Sequence, residues 1–145
     1  MDKNIVIKLV NSWAEQDIVS LYKMGGWWKE SYDSSLVHTM ITGSFVFAVV
    51  VDSGKDKTIG MGRVISDGIS DAYIQDLIVD PSYRKQGIGK QLVDTLISHC
   101  KTSGIVWIGV IAEPGSHEFY HRLGFSEMKD NIPMLYSRED DDASP

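Results

Sequence analysis

A chain of 145 residues that is 43% hydrophobic has the size and apolar content of one globular domain with one substantial core. Its formal net charge of -6 produces a field that repels phosphate backbones, which argues against a nucleic-acid partner. No apolar run approaches the roughly 20 residues of a bilayer helix, and Met1-Asp2-Lys3-Asn4 lacks the basic-then-apolar layout of a signal peptide, so the expectation is a soluble cytoplasmic protein with no membrane partner.

Ile5 to Val10 is a short β-prone run. Ser12-Trp13-Ala14-Glu15 then sets a capping serine three residues before a glutamate, which predicts a first helix ending near Gly25-Gly26. Ser34 and Ser35 are placed to cap a second helix through Leu36, Val37, Met40 and Ile41, with Gly43 as its stop. Phe45 to Val51 is almost wholly apolar, Ser53 to Lys57 has turn chemistry, and Thr58 to Ile65 resumes strand composition, which together read as a hairpin. After a second turn at Asp67-Gly68-Ile69-Ser70-Asp71, Ala72 to Val79 reads as a third strand, stopped by Asp80-Pro81. Gly87 to Lys101 carries Ile88, Leu92, Val93, Leu96 and Ile97 on one face of period 3.6, and Gly104 closes this helix. Ile105 to Ala112 reads as a buried strand, Glu118 to Leu123 as a short helix before Gly124, and Met134 to Tyr136 as a last strand. The order is mixed α/β in one domain over residues 1–137. The acidic residues Glu139 to Asp142 mark 138–145 as a solvated, disordered tail.

The chemistry concentrates after the third strand. Arg84-Lys85-Gln86-Gly87-Ile88-Gly89-Lys90 places two glycines and three cations between a strand and the start of a helix. A helix start presents unpaired N–H groups and about half a positive charge, so a glycine-rich approach lets a phosphate come close. The alternative is an ordinary strand-to-helix loop. A P-loop is excluded because Gly89-Lys90 is followed by Gln91, and a dinucleotide fingerprint because the third glycine is missing. The single cysteine, Cys100, can form no internal disulfide, and no Cys or His pair has zinc-ligand spacing, so no metal is expected.

Arg84-Lys85-Gln86-Gly87-Ile88-Gly89, following Val79-Asp80-Pro81-Ser82-Tyr83, resembles the signature of the GCN5-related N-acetyltransferase (GNAT) family. Phe119-Tyr120-His121-Arg122-Leu123-Gly124-Phe125 is similar to a second segment of that family. Together they cover residues 45–127 well and residues 1–40 only in helix layout. The resemblance implies a mixed, mostly antiparallel sheet with a V-shaped splay, flanked by about four helices. It implies acetyl-CoA as cosubstrate, without a metal, held by the backbone of Leu77, Ile78 and Val79 and by Arg84, Lys85, Gln86, Gly87, Ile88, Gly89 and Lys90. It also implies direct transfer of acetyl to a primary amine, with Tyr120 beside the departing sulfur as general acid. Against this stand core packing for Tyr120, and, for the whole chain, a non-catalytic acyl-CoA sensor or a nucleotide-binding regulatory module. Ala112-Glu113-Pro114-Gly115-Ser116 departs from the family, many of whose members carry Asn there.

An amine must lose a proton before it attacks, so the acceptor side needs a base or a water chain. Asp76, Asp67 and Glu113 are candidates, although Asp67 before Gly68 also fits a turn. Strand alternation puts Gln75 and Asp76 on opposite faces, so one of the two faces the acceptor. Trp27, Trp28 and Tyr32, crowded between the first two helices, suit an amine with an apolar or aromatic body, or else pin the loop to the core. The partner expected is therefore a small-molecule or peptide amine, with a homodimer left open.

Overall fold

The computed structural model describes residues 2–137, and the tail expected at 138–145 lies outside them. Five strands form one sheet in the order of the chain: β1 (Ile5–Leu9), β2 (Val46–Asp52), β3 (Lys57–Ser66), β4 (Asp71–Val79) and β5 (Trp107–Val110). The first three ladders are antiparallel and β4–β5 is parallel. The helices are α1 (Glu15–Met24), α2 (Val37–Gly43), α3 (Ile88–Thr102) and α4 (His117–Arg122), with 3-10 turns at Ser34–Leu36 and Pro81–Tyr83. The mixed, mostly antiparallel sheet with four helices is the expected fold class. By compactness the chain divides into Met1–Val110, which holds the whole sheet, and a second unit from Ile111 on, which holds α4.

All seven residues of β2 are buried, because this interior strand is covered on both faces. On one face α1 and α2 contribute Ile18, Val19, Leu21, Tyr22, Val37 and Ile41, which pack on Phe47, Val49, Val51 and Met61. On the other, α3 buries Ile88, Leu92, Val93, Leu96 and Cys100. Gly62 lets α3 come close: a Cβ there would lie 3.2 Å from Leu96 Cδ1 and 2.7 Å from Leu77 Cδ1.

Local chemistry decided three boundaries differently from the sequence expectation. Ser12 does not cap α1; the N-cap is Ala14, with no side-chain cap bond. Trp13 instead donates its indole N–H to Thr58 Oγ1 (2.9 Å) and Thr58 donates to Asp17 (2.9 Å), so contacts to β3 set where the helix begins. The turn leading into α2 is capped one residue early, by Asp33, whose carboxylate accepts from the Ser35 amide at 3.0 Å. Met134 to Tyr136 forms no strand, and Met134 is 91% exposed. Pro133 lacks an N–H, and so short a run holds no strand conformation without a ladder.

Candidate active site

β4 carries the decisive irregularity. Arg63 pairs with Gln75 and Met61 with Ile78, so the one β3 position between them, Gly62, faces two on β4, Asp76 and Leu77. Asp76 sits in this bulge at φ 56°, a left-handed conformation costing a non-glycine residue about 1–3 kcal/mol. The bulge overturns the alternation expected of Gln75 and Asp76. Gln75 shares the Arg63 face by register, and the Asp76 carboxylate reaches that face as well. Leu77 turns toward Gly62 and α3, while Ile78 packs with the α1–α2 core. The β4–β5 ladder ends at Ile74 and Val110. From Gln75 to Val79, β4 has no strand on that side among the described residues, which is the splay that the sequence resemblance implied.

Asp76 Oδ2 accepts two bonds, from the Tyr22 hydroxyl at 2.6 Å and from Arg63 Nε at 2.7 Å. The ion pair is mostly buried, at 16% and 22% side-chain exposure. Oδ1 accepts no hydrogen bond from the described residues. Arg63 Nη1 reaches Ser44 Oγ at 3.4 Å, and Met40 Sδ lies 3.2 Å from the Tyr22 hydroxyl. Burial first, then the Asp76 hydrogen bond, push the Tyr22 phenol far above the ordinary tyrosine range. Tyr22 therefore acts as a hydrogen-bond donor at all physiological pH. Sequence reading did not single out Tyr22 or Arg63. The signal was there in Arg63, a cation inside a strand-like run that needs a partner once buried.

Trp27, Trp28 and Tyr32 extend this cluster. The Tyr22 ring lies 6.1 Å from Trp27 and 6.4 Å from Trp28, and Trp28 meets Tyr32 edge-on at 5.4 Å. Both tryptophans are half-buried against the core, and Tyr32 is 48% exposed. The tryptophans thus pin the loop to the core, and with Tyr32 they form a half-exposed aromatic wall. Gly25 makes the fold-back feasible: a Cβ there would lie 2.7 Å from Trp27 Cε3.

The phosphate-loop candidate is built differently. Arg84, Lys85, Gln86 and Gly87 are exposed, Ile88 is buried, and Lys85 and Gly87 have φ of 66° and 77°. Gly87 is the N-cap of α3, and no side chain caps that start. Burial of Ile88 and the stripe behind it, worth about 1.5–3 kcal/mol per large side chain, holds the first turn instead. The first amides of α3 remain available to a ligand, an arrangement that fits a pyrophosphate. Lys90 meets Asp94 at 2.6 Å, so its charge is partly balanced within α3. Behind the loop, Tyr83 donates to Asp52 at 2.6 Å, and Asp80 accepts from the Ser82 amide at 2.9 Å and from Lys57 at 3.4 Å.

Two other base candidates are placed as follows. Asp67 accepts from the Ile69 and Ser70 amides, both at 2.8 Å, as a turn residue does. Glu113 is exposed in the second unit. In that unit the Tyr120 ring packs edge-on against Phe119 (5.0 Å) and Phe125 (5.5 Å). Burial, followed by the nearby Glu113 charge, pushes the Tyr120 phenol up to about 12.

Residues 15–134 match the family described as acetyltransferase (GNAT) domain. The chain is 36% identical over 84 residues to GCN5-related N-acetyltransferase 1, chloroplastic, of Arabidopsis thaliana, covering 57% of this chain and 43% of the relative. It is 30% identical over 122 residues to an uncharacterized N-acetyltransferase of Gracilaria tenuistipitata var. liui, covering 83% and 66% respectively. The chain thus spans less than half the length of the Arabidopsis relative. Among solved structures it superimposes on a GNAT family acetyltransferase of Streptococcus pneumoniae with a TM-score of 0.78 at 27% identity, covering 94% of this chain and 99% of that one.

Proposed function

The chain belongs to the acetyltransferase (GNAT) family, and on that premise we propose that it transfers acetyl from acetyl-CoA directly to a primary amine with an apolar or aromatic body. One observation carries the reading: the bulged, half-unpaired β4 leads straight into an uncapped α3 whose N-cap is a left-handed glycine. In this proposal the amides at the start of α3, with Arg84, Lys85 and Lys90 around them, hold the pyrophosphate. The unpaired stretch of β4 from Leu77 to Val79 receives the pantetheine arm. A fixed N–H there that polarises the thioester carbonyl would be worth roughly 3–4 kcal/mol.

Asp76 meets the acceptor through Oδ1, the proton leaves the amine through that oxygen to solvent, and the free amine attacks the acetyl carbon. Gln75, on the same face, and the wall of Trp27, Trp28 and Tyr32 take the body of the acceptor. The carbon–sulfur bond breaks, Tyr120 is the proposed donor to the coenzyme A thiolate, and the surplus proton on the acylated nitrogen leaves to solvent, from which Tyr120 regains its own. Its raised pKa means that the hydroxyl is fully protonated at neutral pH. Direct transfer is supported by Cys100, the single cysteine, which is fully buried on α3 with a thiol pushed up by burial and so is no covalent carrier. The test is coenzyme A release over a panel of primary amines. Amine-dependent release, highest for aromatic amines, supports the reading; binding of acetyl-CoA with no release for any amine would make the chain an acyl-CoA sensor.

A further inference from the structure

Asp76 is held through its backbone and through one of its two oxygens. Its backbone is left-handed, and both of its hydrogen bonds fall on one oxygen, from elements far apart in sequence: Tyr22 on α1 and Arg63 on β3. Two donors at 2.6 and 2.7 Å fix Oδ2 in place, and the guanidinium balances the carboxylate charge. With Oδ2 saturated, the second oxygen has one orientation rather than many. Tyr22 also supplies the ring on which Trp27 and Trp28 pack, so a single side chain ties the anionic atom to the aromatic wall.

We propose that Tyr22 and Arg63 are positioning residues for the acceptor: together they aim Asp76 Oδ1 at the amine nitrogen and fix its distance from the aromatic wall, selecting arylalkylamines over amines without an apolar body. This rests on the reading of Asp76 as the group that meets the acceptor. A purely structural role for the clamp would lower stability and leave the acceptor's kinetic constant alone. Positioning predicts a defect confined to the amine and dependent on Asp76.

The experiment is a double-mutant cycle on the full chain, with phenylethylamine as probe and coenzyme A release as readout. Tyr22→Phe keeps the ring that packs on the tryptophans and removes only the donor. It should raise the KM for phenylethylamine about tenfold, the ordinary effect of losing a hydrogen bond to a charged group, while the KM for acetyl-CoA stays within about twofold. Asp76→Asn tolerates the left-handed backbone and removes the charge. The double variant should be no worse than Asp76→Asn alone, because Tyr22 acts through that carboxylate. Arg63→Lys, which keeps the charge but not the fixed planar donor, should show the same amine-specific defect in milder form. Multiplicative losses in the double variant, or an unchanged amine KM in Tyr22→Phe, would overturn the positioning role. An unchanged amine KM in Asp76→Asn would instead overturn the underlying acceptor reading. Equal turnover of phenylethylamine and methylamine by the wild type would reject the selection for an aromatic body.

Discussion

The proposed acceptor end and the proposed cofactor end of this chain are made from different materials. Around Asp76, the proposed site is built from side chains: a mostly buried carboxylate, two donors aimed at it, and an aromatic wall resting on one of those donors. Around Gly87, it is built from backbone: exposed residues, left-handed torsions and an uncapped helix start held down by packing from behind. The difference teaches what each end can tolerate. Substitutions of side chains should alter acceptor use with little effect on cofactor binding. Substitutions that change backbone freedom should do the reverse.

The largest effect tests whether chemistry, too, depends on one side chain. Tyr120→Phe keeps the ring packed between Phe119 and Phe125 and should lower turnover by about 100- to 10,000-fold, the usual range for a lost general acid. With the phenol pushed up to about 12, the wild-type rate should show no alkaline limb from this group below roughly that pH. Loss of less than twofold in steady-state turnover would return Tyr120 to core packing.

Next in size, Gly25→Ala attacks the aromatic wall without touching a polar atom. The added Cβ would lie 2.7 Å from Trp27 and force that ring aside, an overpacking cost of about 1–3 kcal/mol in chemical denaturation. The KM for an aromatic amine should rise and that for acetyl-CoA should not. An equal rise in both constants would break the separation between the two ends.

How much of this was legible in the sequence follows the same division. The loop proposed for the cofactor could be located because its signal is local: glycines, cations and a helix start lie within seven residues, Arg84 to Lys90, and the structure runs them as a turn and bend into α3. The strands and helices were legible for the same reason, since their periodicity is short-range. The network around Asp76 was not. Tyr22 and Asp76 are 54 residues apart and Arg63 and Asp76 are 13 apart, so no window of sequence contains the cluster. The bulge that reverses the facing of Asp76 depends on Gly62 across the ladder, which alternation along β4 alone could not reveal. The start of α1 was misread for a similar reason, because Trp13 and Asp17 both answer to Thr58, on β3.

A smaller effect is expected at Lys90. Its pair with Asp94 is exposed, so Lys90→Ala should cost only about 0.3–0.5 kcal/mol of stability by thermal melting. Smallest of all is the acid response of the brace behind the loop. The Tyr83 hydroxyl holds the Asp52 carboxyl below its ordinary value, and the Ser82 amide, then the Ser82 hydroxyl and Lys57, do the same for Asp80. A depressed folded-state pKa contributes stability above the unfolded value of about 4, and that contribution is lost as pH falls through the folded one. Wild-type melting temperature should therefore decline below about pH 4, and Asp52→Asn should flatten part of that decline.

Calorimetric titration of acetyl-CoA into wild type, Gly87→Val and Asp76→Asn tests the division most directly. Valine at a φ of 77° is strained by roughly 1–2 kcal/mol, so Gly87→Val should weaken binding about 5- to 30-fold. Asp76→Asn should bind acetyl-CoA within about twofold of wild type, because its carboxylate is proposed to serve the acceptor. Unchanged affinity in Gly87→Val, or a loss in Asp76→Asn as large as that in Gly87→Val, would contradict a cofactor end made of backbone and an acceptor end made of side chains.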